Sequence, residues 1–218
     1  MSGKHPIAVL VSGGGTNLQA IIDACERGEI PCRVALVVSN KEDAYGLVRA
    51  KKHGIPAEVV RHRDFPTREE FDARLVEAIR ASGAELVCLA GFMRVLTPVF
   101  VHAFPNRILN IHPALLPSFP GTHGQKQALD YGVRFSGCTV HFLDEGVDTG
   151  PIIVQAVVPV YDDDTEESLG ARILAQEHRI YPMAIRLFFE GRLRIEGRRV
   201  RIEGAPRIPE FHHRNPDA

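Results

Sequence analysis

Short apolar runs alternate with helix-like segments through the first half of the chain. Four runs, at residues 7–12, 33–39, 85–90 and 107–111, are apolar at mostly consecutive positions, and residues 57–61 form a shorter candidate strand. Strands that are apolar on both faces must be covered on both faces, which is typical of parallel sheets. Strands that alternate with helices build such sheets. We therefore predict an α/β fold with an open, mostly parallel twisted sheet and helices on both faces.

The second half of the chain has a different pattern. A proline- and glycine-rich loop at residues 113–121 precedes a helix and two longer strands, 136–143 and 151–160, which a polar segment joins. That connection permits antiparallel pairing. A long helix over residues 165–190 and a hairpin around Gly197 complete the pattern. We predict a single domain over residues 1–203 with an antiparallel C-terminal strand, followed by an irregular tail at residues 204–218.

Composition excludes several classes of protein. The chain has 218 residues, of which 44% are hydrophobic, and its formal net charge is −1. A chain that coats nucleic acid normally has a basic excess, so we expect no nucleic-acid partner. No apolar run is long enough for a membrane span or a signal peptide, which predicts a cytoplasmic protein. The four cysteines show no CxxC spacing, and we expect them to be reduced, buried and free of metal.

A glycine cluster joins the first strand to the first helix. It reads Ser12-Gly-Gly-Gly-Thr-Asn17. Glycines let backbone approach an anion, and the N-terminus of a helix offers free N–H groups, so the loop is a candidate phosphate site. It lacks the lysine of a Walker loop, and it fits a dinucleotide fingerprint poorly because Leu18 stands where the third glycine belongs. A tight turn with an ordinary cap remains the alternative.

Asn110 and His112 lie at the end of the fifth predicted strand. Residues two apart on a strand point to the same face, so these side chains should project together, while Pro113 ends the strand. Ligands of open α/β sheets bind at the carboxyl ends of the strands. An amide beside an imidazole suits stabilisation of a developing oxyanion. A strand-end histidine bonded to backbone is the alternative.

An acidic loop between the two later strands contains Asp148. If it folds over the same strand end, its carboxylate would orient His112 and raise the imidazole pKa. A solvated loop acid is the alternative. The sequence shows no nucleophile elbow and no metal-ligand cluster, so an acyl-group reaction would take its nucleophile from a substrate.

Together these segments resemble the glycinamide ribonucleotide formyltransferase family of folate-dependent formyltransferases. The resemblance covers about residues 6–200. The residues that carry it are the Ser12–Asn17 loop, Ala90-Gly-Phe-Met-Arg-Val-Leu96, Asn110-Ile-His-Pro-Ala-Leu-Leu-Pro117, Phe119-Pro-Gly121, Val140-His-Phe142, Asp148-Thr-Gly-Pro151 and Gln176-Glu-His-Arg-Ile-Tyr-Pro182.

The resemblance implies a reaction in which the amine of glycinamide ribonucleotide attacks the formyl carbon of 10-formyltetrahydrofolate, the co-substrate. Asn110 and protonated His112 would stabilise the oxyanion, and Asp148 would orient and charge His112 and assist proton transfer. The implied ribonucleotide site comprises Gly15, Thr16, Asn17, Leu18, Gln19 and Glu177. The implied folate site comprises Arg68, Met93, Arg94, Val95, Leu96 and Asn110. No metal is implied, and the oligomeric state, monomer or homodimer, is left open.

Three other functions remain open at this point. Two are enzymes of related chemistry, a formyltetrahydrofolate hydrolase and an amino-sugar formyltransferase. The third is a non-catalytic nucleotide-binding module. That module predicts that the side chains of Asn110, His112 and Asp148 do not converge.

Overall fold

The strands form one mixed sheet. The computed structural model describes residues 3–205. Within them the strands are β1 His5–Val11, β2 Cys32–Ser39, β3 Ala57–Val59, β4 Leu86–Leu89, β5 Ile108–His112, β6 Phe135–Phe142, β7 Ile152–Pro159, β8 Leu193–Glu196 and β9 Arg199–Ile202. Their order across the sheet is β3-β2-β1-β4-β5-β6-β7-β9-β8. Strands β1 to β5 are parallel, and β6 runs antiparallel to both β5 and β7. The predicted fold class is confirmed.

Six α-helices flank the sheet in the described part of the chain. They are α1 Thr16–Glu26, α2 Tyr45–Lys52, α3 Arg68–Ala81, α4 Pro98–Ala103, α5 Gly124–Tyr131 and α6 Glu166–Phe189. The side chain of Thr67 caps α3, since it accepts the N–H of Glu70. Helix α2 begins at Tyr45, because Ala44 is still extended. One segment differs from the prediction: β3 ends at Val59 rather than residue 61, and a 3-10 turn, His62–Asp64, follows it.

The sheet separates two hydrophobic cores. On one face, Ile7, Val9 and Leu109 pack among α1, α5 and α6. On the other, Ala8, Leu10 and the residues of α3 and α4 form the second core. Successive residues of a strand alternate between the cores, as the apolar runs predicted. One sheet holds every strand of residues 3–205, and a single domain over residues 1–203 stays a proposal. The predicted tail lies outside the described residues except for residues 204–205.

Tyr181 of α6 ties two parallel strands together. Its fully buried hydroxyl lies 3.0 Å from the backbone oxygens of both Leu89 in β4 and Leu109 in β5. Burial raises the pKa of this phenol well above its usual value, so the group stays neutral and acts as a donor. The bond fixes the strand ends relative to α6.

The cysteines are free and buried, as predicted. Burial raises the pKa of each thiol, to about 11 at Cys25 and about 12 at Cys32 and Cys138. The thiols are therefore un-ionised at neutral pH and pack as small apolar groups. Among residues 3–205, no helix combines the length and apolarity that crossing a bilayer requires.

Candidate active site

The predicted site residues lie at one edge of the sheet, at the carboxyl ends of β1, β4 and β5. The strand order reverses direction between β1 and β4. At such a reversal the two following loops leave on opposite faces and open a crevice, where α/β sheets bind ligands. The glycine loop follows β1, the Gly91–Leu96 segment follows β4, and His112 ends β5.

Asn110 and His112 project from the same face of β5, as predicted, and Ile111 points into the opposite core. The antiparallel register places His141 of β6 opposite Asn110 and Thr139 opposite His112. Cross-strand neighbours on one face are close enough to contact. The pairing therefore adds a second, fully buried histidine to the site.

Asp148 lies in the loop between β6 and β7 and reaches this strand end. Its Oδ2 accepts the Gly121 N–H at 2.7 Å and lies 3.3 Å from Nδ1 of His112. Its Oδ1 accepts from Nδ2 of Asn110 at 3.3 Å. Asp148 has the left-handed backbone conformation, φ 53°, which is strained for a non-glycine residue and is found most often at functional sites. The structure thus brings Asn110, His112 and Asp148 together.

His112 is held between two acceptors. Its Nε2 donates to the Phe119 carbonyl at 2.8 Å, and its Nδ1 faces the Asp148 carboxylate. A ring flanked by two acceptors is best satisfied as the imidazolium. Burial nevertheless lowers the pKa of His112 below its usual value, although Asp148 and the Phe119 carbonyl act to raise it. The carboxylate therefore acts in the expected direction, but desolvation of the 5%-exposed side chain outweighs it.

The pKa of Asp148 shifts the opposite way from what burial alone would give. Burial raises this pKa, but contact with the His141 ring, the hydrogen bond from the Gly121 N–H and the positive charge of His112 together lower it below its usual value. The carboxylate is therefore ionised throughout the neutral range. It is a fixed negative charge beside His112.

His141 sets the orientation of the Asn110 amide. Its Nδ1 donates to the Phe142 carbonyl at 2.8 Å, so in the neutral ring Nε2 carries the lone pair. That lone pair accepts from Nδ2 of Asn110 at 3.1 Å. The second proton of the same amide goes to Asp148. Both amide protons are thus engaged, and the bond to Asp148 is the longer one.

A cleft of about 480 Å³ opens beside these residues. Five of the six predicted folate-site residues line it: Met93, Arg94, Val95, Leu96 and Asn110. The loop with Gly146, Val147 and Asp148 forms the facing wall, and His112 lies at the inner end. Exposed apolar side chains at Met93, Val95 and Val147 suit a flat aromatic ligand with polar edges. Arg68 does not line the cleft; it donates to the Val95 carbonyl at 2.8 Å.

The predicted ribonucleotide-site residues surround the start of α1. Asn17 donates to Oε2 of Glu177 at 2.7 Å, and both side chains are buried. Burial raises the pKa of Glu177, although the bond from Asn17 opposes the shift. The Oδ1 atom of Asn17 is buried without a partner among the described residues. An unmet buried acceptor beside a carboxylate fits a ligand with hydroxyl donors.

The other residues of this set contribute in different ways. Gly15 and Thr16 present backbone at the start of α1. Leu18 is completely buried in the core, so its side chain does not reach a ligand. The Gln19 side chain is occupied by Asp23, His53 and Arg49 and turns away from the loop.

Sequence reasoning misses three contacting residues. His141 is not among the predicted site residues, and only the pairing register of β5 and β6 shows that it faces Asn110. Ser12 accepts the Met93 N–H at 2.8 Å and donates to Asn40 at 2.6 Å, so it joins the two predicted substrate loops. Arg49 of α2 contacts the glycine loop, and nothing in its local sequence indicates this.

Comparison with known proteins identifies the class. Residues 5–185 match the family model described as formyl transferase. The chain belongs to this family, and it is a formyltransferase enzyme.

The names of individual relatives are more specific than the name of the family. The chain is 46% identical to the phosphoribosylglycinamide formyltransferase of Haemophilus influenzae, over 91% of this chain and 93% of the relative. It is similar in structure to glycinamide ribonucleotide transformylase 1 of Symbiobacterium toebii, with TM-score 0.91, 59% identity and coverage of 93% and 95%. It is also 53% identical to the trifunctional purine biosynthetic protein adenosine-3 of Drosophila melanogaster over 86% of this chain, but spans only 14% of that relative's length.

Proposed function

We propose that the chain transfers the formyl group of 10-formyltetrahydrofolate to the amine of glycinamide ribonucleotide, a step of purine biosynthesis. The observation that carries the proposal is the convergence of Asn110, His112 and Asp148 within hydrogen-bond distance, at the sheet edge that also holds the glycine loop. A non-catalytic module predicted that these side chains would lie apart. The substrate is that named for the relatives of matching length.

In this proposal the folate lies in the 480 Å³ cleft and the ribonucleotide at the start of α1. The pterin would insert between the Met93–Leu96 segment and the Gly146–Asp148 loop, which offer apolar walls and backbone groups. Arg68 lies outside the cleft beside Val95, where it suits the carboxylates of the folate tail. The phosphate would bind the N–H groups at Gly15, Thr16, Asn17 and Leu18, with Gln19 behind them. Asn17 and Glu177 would accept ribose hydroxyls.

The chemistry is nucleophilic attack of the substrate amine on the formyl carbon. A C–N bond forms, the carbonyl oxygen becomes an oxyanion, and collapse breaks the bond to N10 of the folate. The amine loses a proton and N10 gains one, so charge and protons balance. Preorganised donors are worth most where negative charge develops. Asn110 and the protonated form of His112 are placed to supply two of them, and the neutral ring of the free enzyme would have to take up a proton for this role.

The existing hydrogen bonds define what must change during the reaction. The Asn110 amide would give up its 3.3 Å bond to Asp148 and keep its 3.1 Å bond to His141. His112 would redirect its Nε2 proton from the Phe119 carbonyl toward the oxyanion. Asp148, ionised throughout, would hold the imidazolium and assist proton movement between amine and N10.

A formyl-transfer assay with 10-formyltetrahydrofolate tests this proposal. The acceptor is glycinamide ribonucleotide, an amino-sugar nucleotide, or water alone. We expect rapid turnover only with the ribonucleotide, and His112→Ala should lose about 10²- to 10³-fold in kcat. His5→Ala is the matched control, because His5 also pairs with a carboxylate, Glu85, but at the opposite end of the sheet. Equal turnover with water alone would identify a hydrolase, and preference for the amino sugar would identify the other alternative.

A further inference from the structure

Helix α2 donates two hydrogen bonds to carbonyls of the glycine loop. The N–H of Gly46 donates to the Gly13 carbonyl at 3.0 Å, and Nε of Arg49 donates to the Gly14 carbonyl at 2.8 Å. A Cβ on Gly15 would lie 2.7 Å from Cα of Gly46, so the two backbones are in close contact. Two consecutive loop carbonyls are therefore pinned toward α2.

The direction of the Gly13 and Gly14 carbonyls determines where the neighbouring N–H groups point. In a trans peptide the C=O and the following N–H point in opposite directions, and these loop peptides are trans. The N–H groups of Gly14 and Gly15 therefore face away from α2, toward the open side of the loop. Neither has an acceptor in the part of the chain that the structure describes. Together with the free N–H groups of the first turn of α1 they form an anion-binding concavity.

The loop itself lacks a cation. Residues 12–19 contain no lysine or arginine. A helix N-terminus supplies about half a positive charge, whereas a phosphate monoester carries about −1.5 to −2 at neutral pH. Arg49 contacts the loop directly, and its guanidinium is held in place by Oε1 of Gln19 at 3.2 Å and by the Tyr45 ring, whose centroid is 5.0 Å away. Its other guanidinium N–H groups have no acceptor within residues 3–205.

We propose that Arg49 is the phosphate-specificity residue of the glycine loop. It orients the Gly14–Gly15 peptide so that its N–H faces the phosphate, and its charge favours a phosphorylated acceptor over the same amine without phosphate. This inference rests on the proposed function for the identity of the acceptor. The same proposal explains the contacts of Gln19. Its side chain binds Arg49 and His53, so it supports the arginine and does not contact the phosphate itself.

The test compares the chain with Arg49→Met and Arg49→Lys variants. For Arg49→Met we expect the KM for glycinamide ribonucleotide to rise about tenfold or more, the size of one charge-assisted hydrogen bond. The KM for 10-formyltetrahydrofolate should not change, and kcat should fall by less than about threefold. Arg49→Lys should recover part of the loss because it keeps the charge. Lys51→Met is the matched control, since Lys51 is an exposed cation on the same helix.

The preference for phosphate is a second measurement that a purely structural role would not change. We expect the ratio of kcat/KM for the ribonucleotide over its dephosphorylated riboside to fall in Arg49→Met and to stay unchanged in Lys51→Met. An unchanged ratio in Arg49→Met would overturn the proposal. So would equal rises in both KM values together with a lower melting temperature.

Binding without turnover separates this proposal from the proposed function. Calorimetry with ribose 5-phosphate and with inorganic phosphate should show binding to the unmodified chain and weaker binding to Arg49→Met. If the chain binds ribose 5-phosphate but formylates no ribonucleotide, the proposed function fails while Arg49 is still tested. If it binds neither anion, both proposals fail.

Discussion

The two halves of the candidate site differ in how far their polar groups are already satisfied. Around Asn110 and His112, every amide and imidazole proton has an acceptor within the protein. At the glycine loop, by contrast, N–H groups and Oδ1 of Asn17 have no partner among residues 3–205. In the proposed reaction, the first region exchanges internal bonds for bonds to the reacting atoms. In the same proposal, the second region is a preformed receptor whose groups gain partners when a ligand arrives. Changes in the first should therefore act on kcat, and changes in the second on KM.

The largest expected effect comes from Asp148→Asn. Asparagine tolerates the left-handed conformation at this position, so the loop can persist while the charge beside His112 is lost. We expect kcat to fall about 10²- to 10³-fold with little change in either KM. Steady-state kinetics with Asp163→Asn as control checks this, because Asp163 is an exposed acid in the turn before α6. A loss confined to KM would contradict the contrast between the two regions.

Gly15→Ala is the corresponding change at the loop. Alanine at φ 67° is strained, and its Cβ would meet the Gly46 backbone at 2.7 Å, so the loop must move away from α2. We expect a KM for the ribonucleotide about tenfold higher and a free energy of unfolding lower by about 1–3 kcal/mol.

Gly83→Ala separates strain from displacement of the loop. Gly83 has φ 71°, but nothing lies within 4 Å of the position that a Cβ would take there, so the substitution carries the same conformational cost without the contact. Chemical denaturation should show a stability loss in both variants, with the KM effect in Gly15→Ala alone. A raised KM in Gly83→Ala would mean that lost stability, rather than loop position, governs binding.

The smallest effect is a shift in the titration of His112. Burial lowers the pKa of this imidazole below 6.5, and Asp148 opposes the shift. The neutral ring should therefore predominate at neutral pH in the free enzyme, and Asp148→Asn should lower the pKa further. Because the unfolded chain binds this proton more readily, His112 decreases stability as the pH falls through and below 6.5. NMR titration of labelled imidazoles measures the shift. A midpoint above 6.5 in the unmodified chain would show that burial does not dominate, and a higher midpoint in Asp148→Asn would show that Asp148 does not oppose the effect of burial.

The sequence was sufficient to locate the strands and loops that carry the candidate site residues, but not to predict the contacts between these residues. The shared face of Asn110 and His112 was predictable, because side chains two apart on a strand point the same way and Pro113 ends the strand. Both are local features of the sequence. That Asp148 approaches them followed only from resemblance, since a loop's direction depends on packing around it. His141 and Arg49 depend on the β5–β6 register and on the docking of α2, which are long-range features that no local pattern encodes. The net pKa of His112 was also beyond the sequence, because desolvation depends on the finished fold.

The hydrogen bonds of Tyr181 limit which acceptor substrates can fit the site. It lies one helical turn beyond Glu177 on α6, and its hydroxyl fixes the ends of β4 and β5 one residue before Ala90 and Asn110. Residues four apart lie on one helix face, so one segment of α6 connects both halves of the site. We expect this helix and the strand ends bound to it to set the separation between Glu177 and Asn110. An acceptor whose amine lies farther from its ribose should then need loops of different length rather than a movement of the sheet.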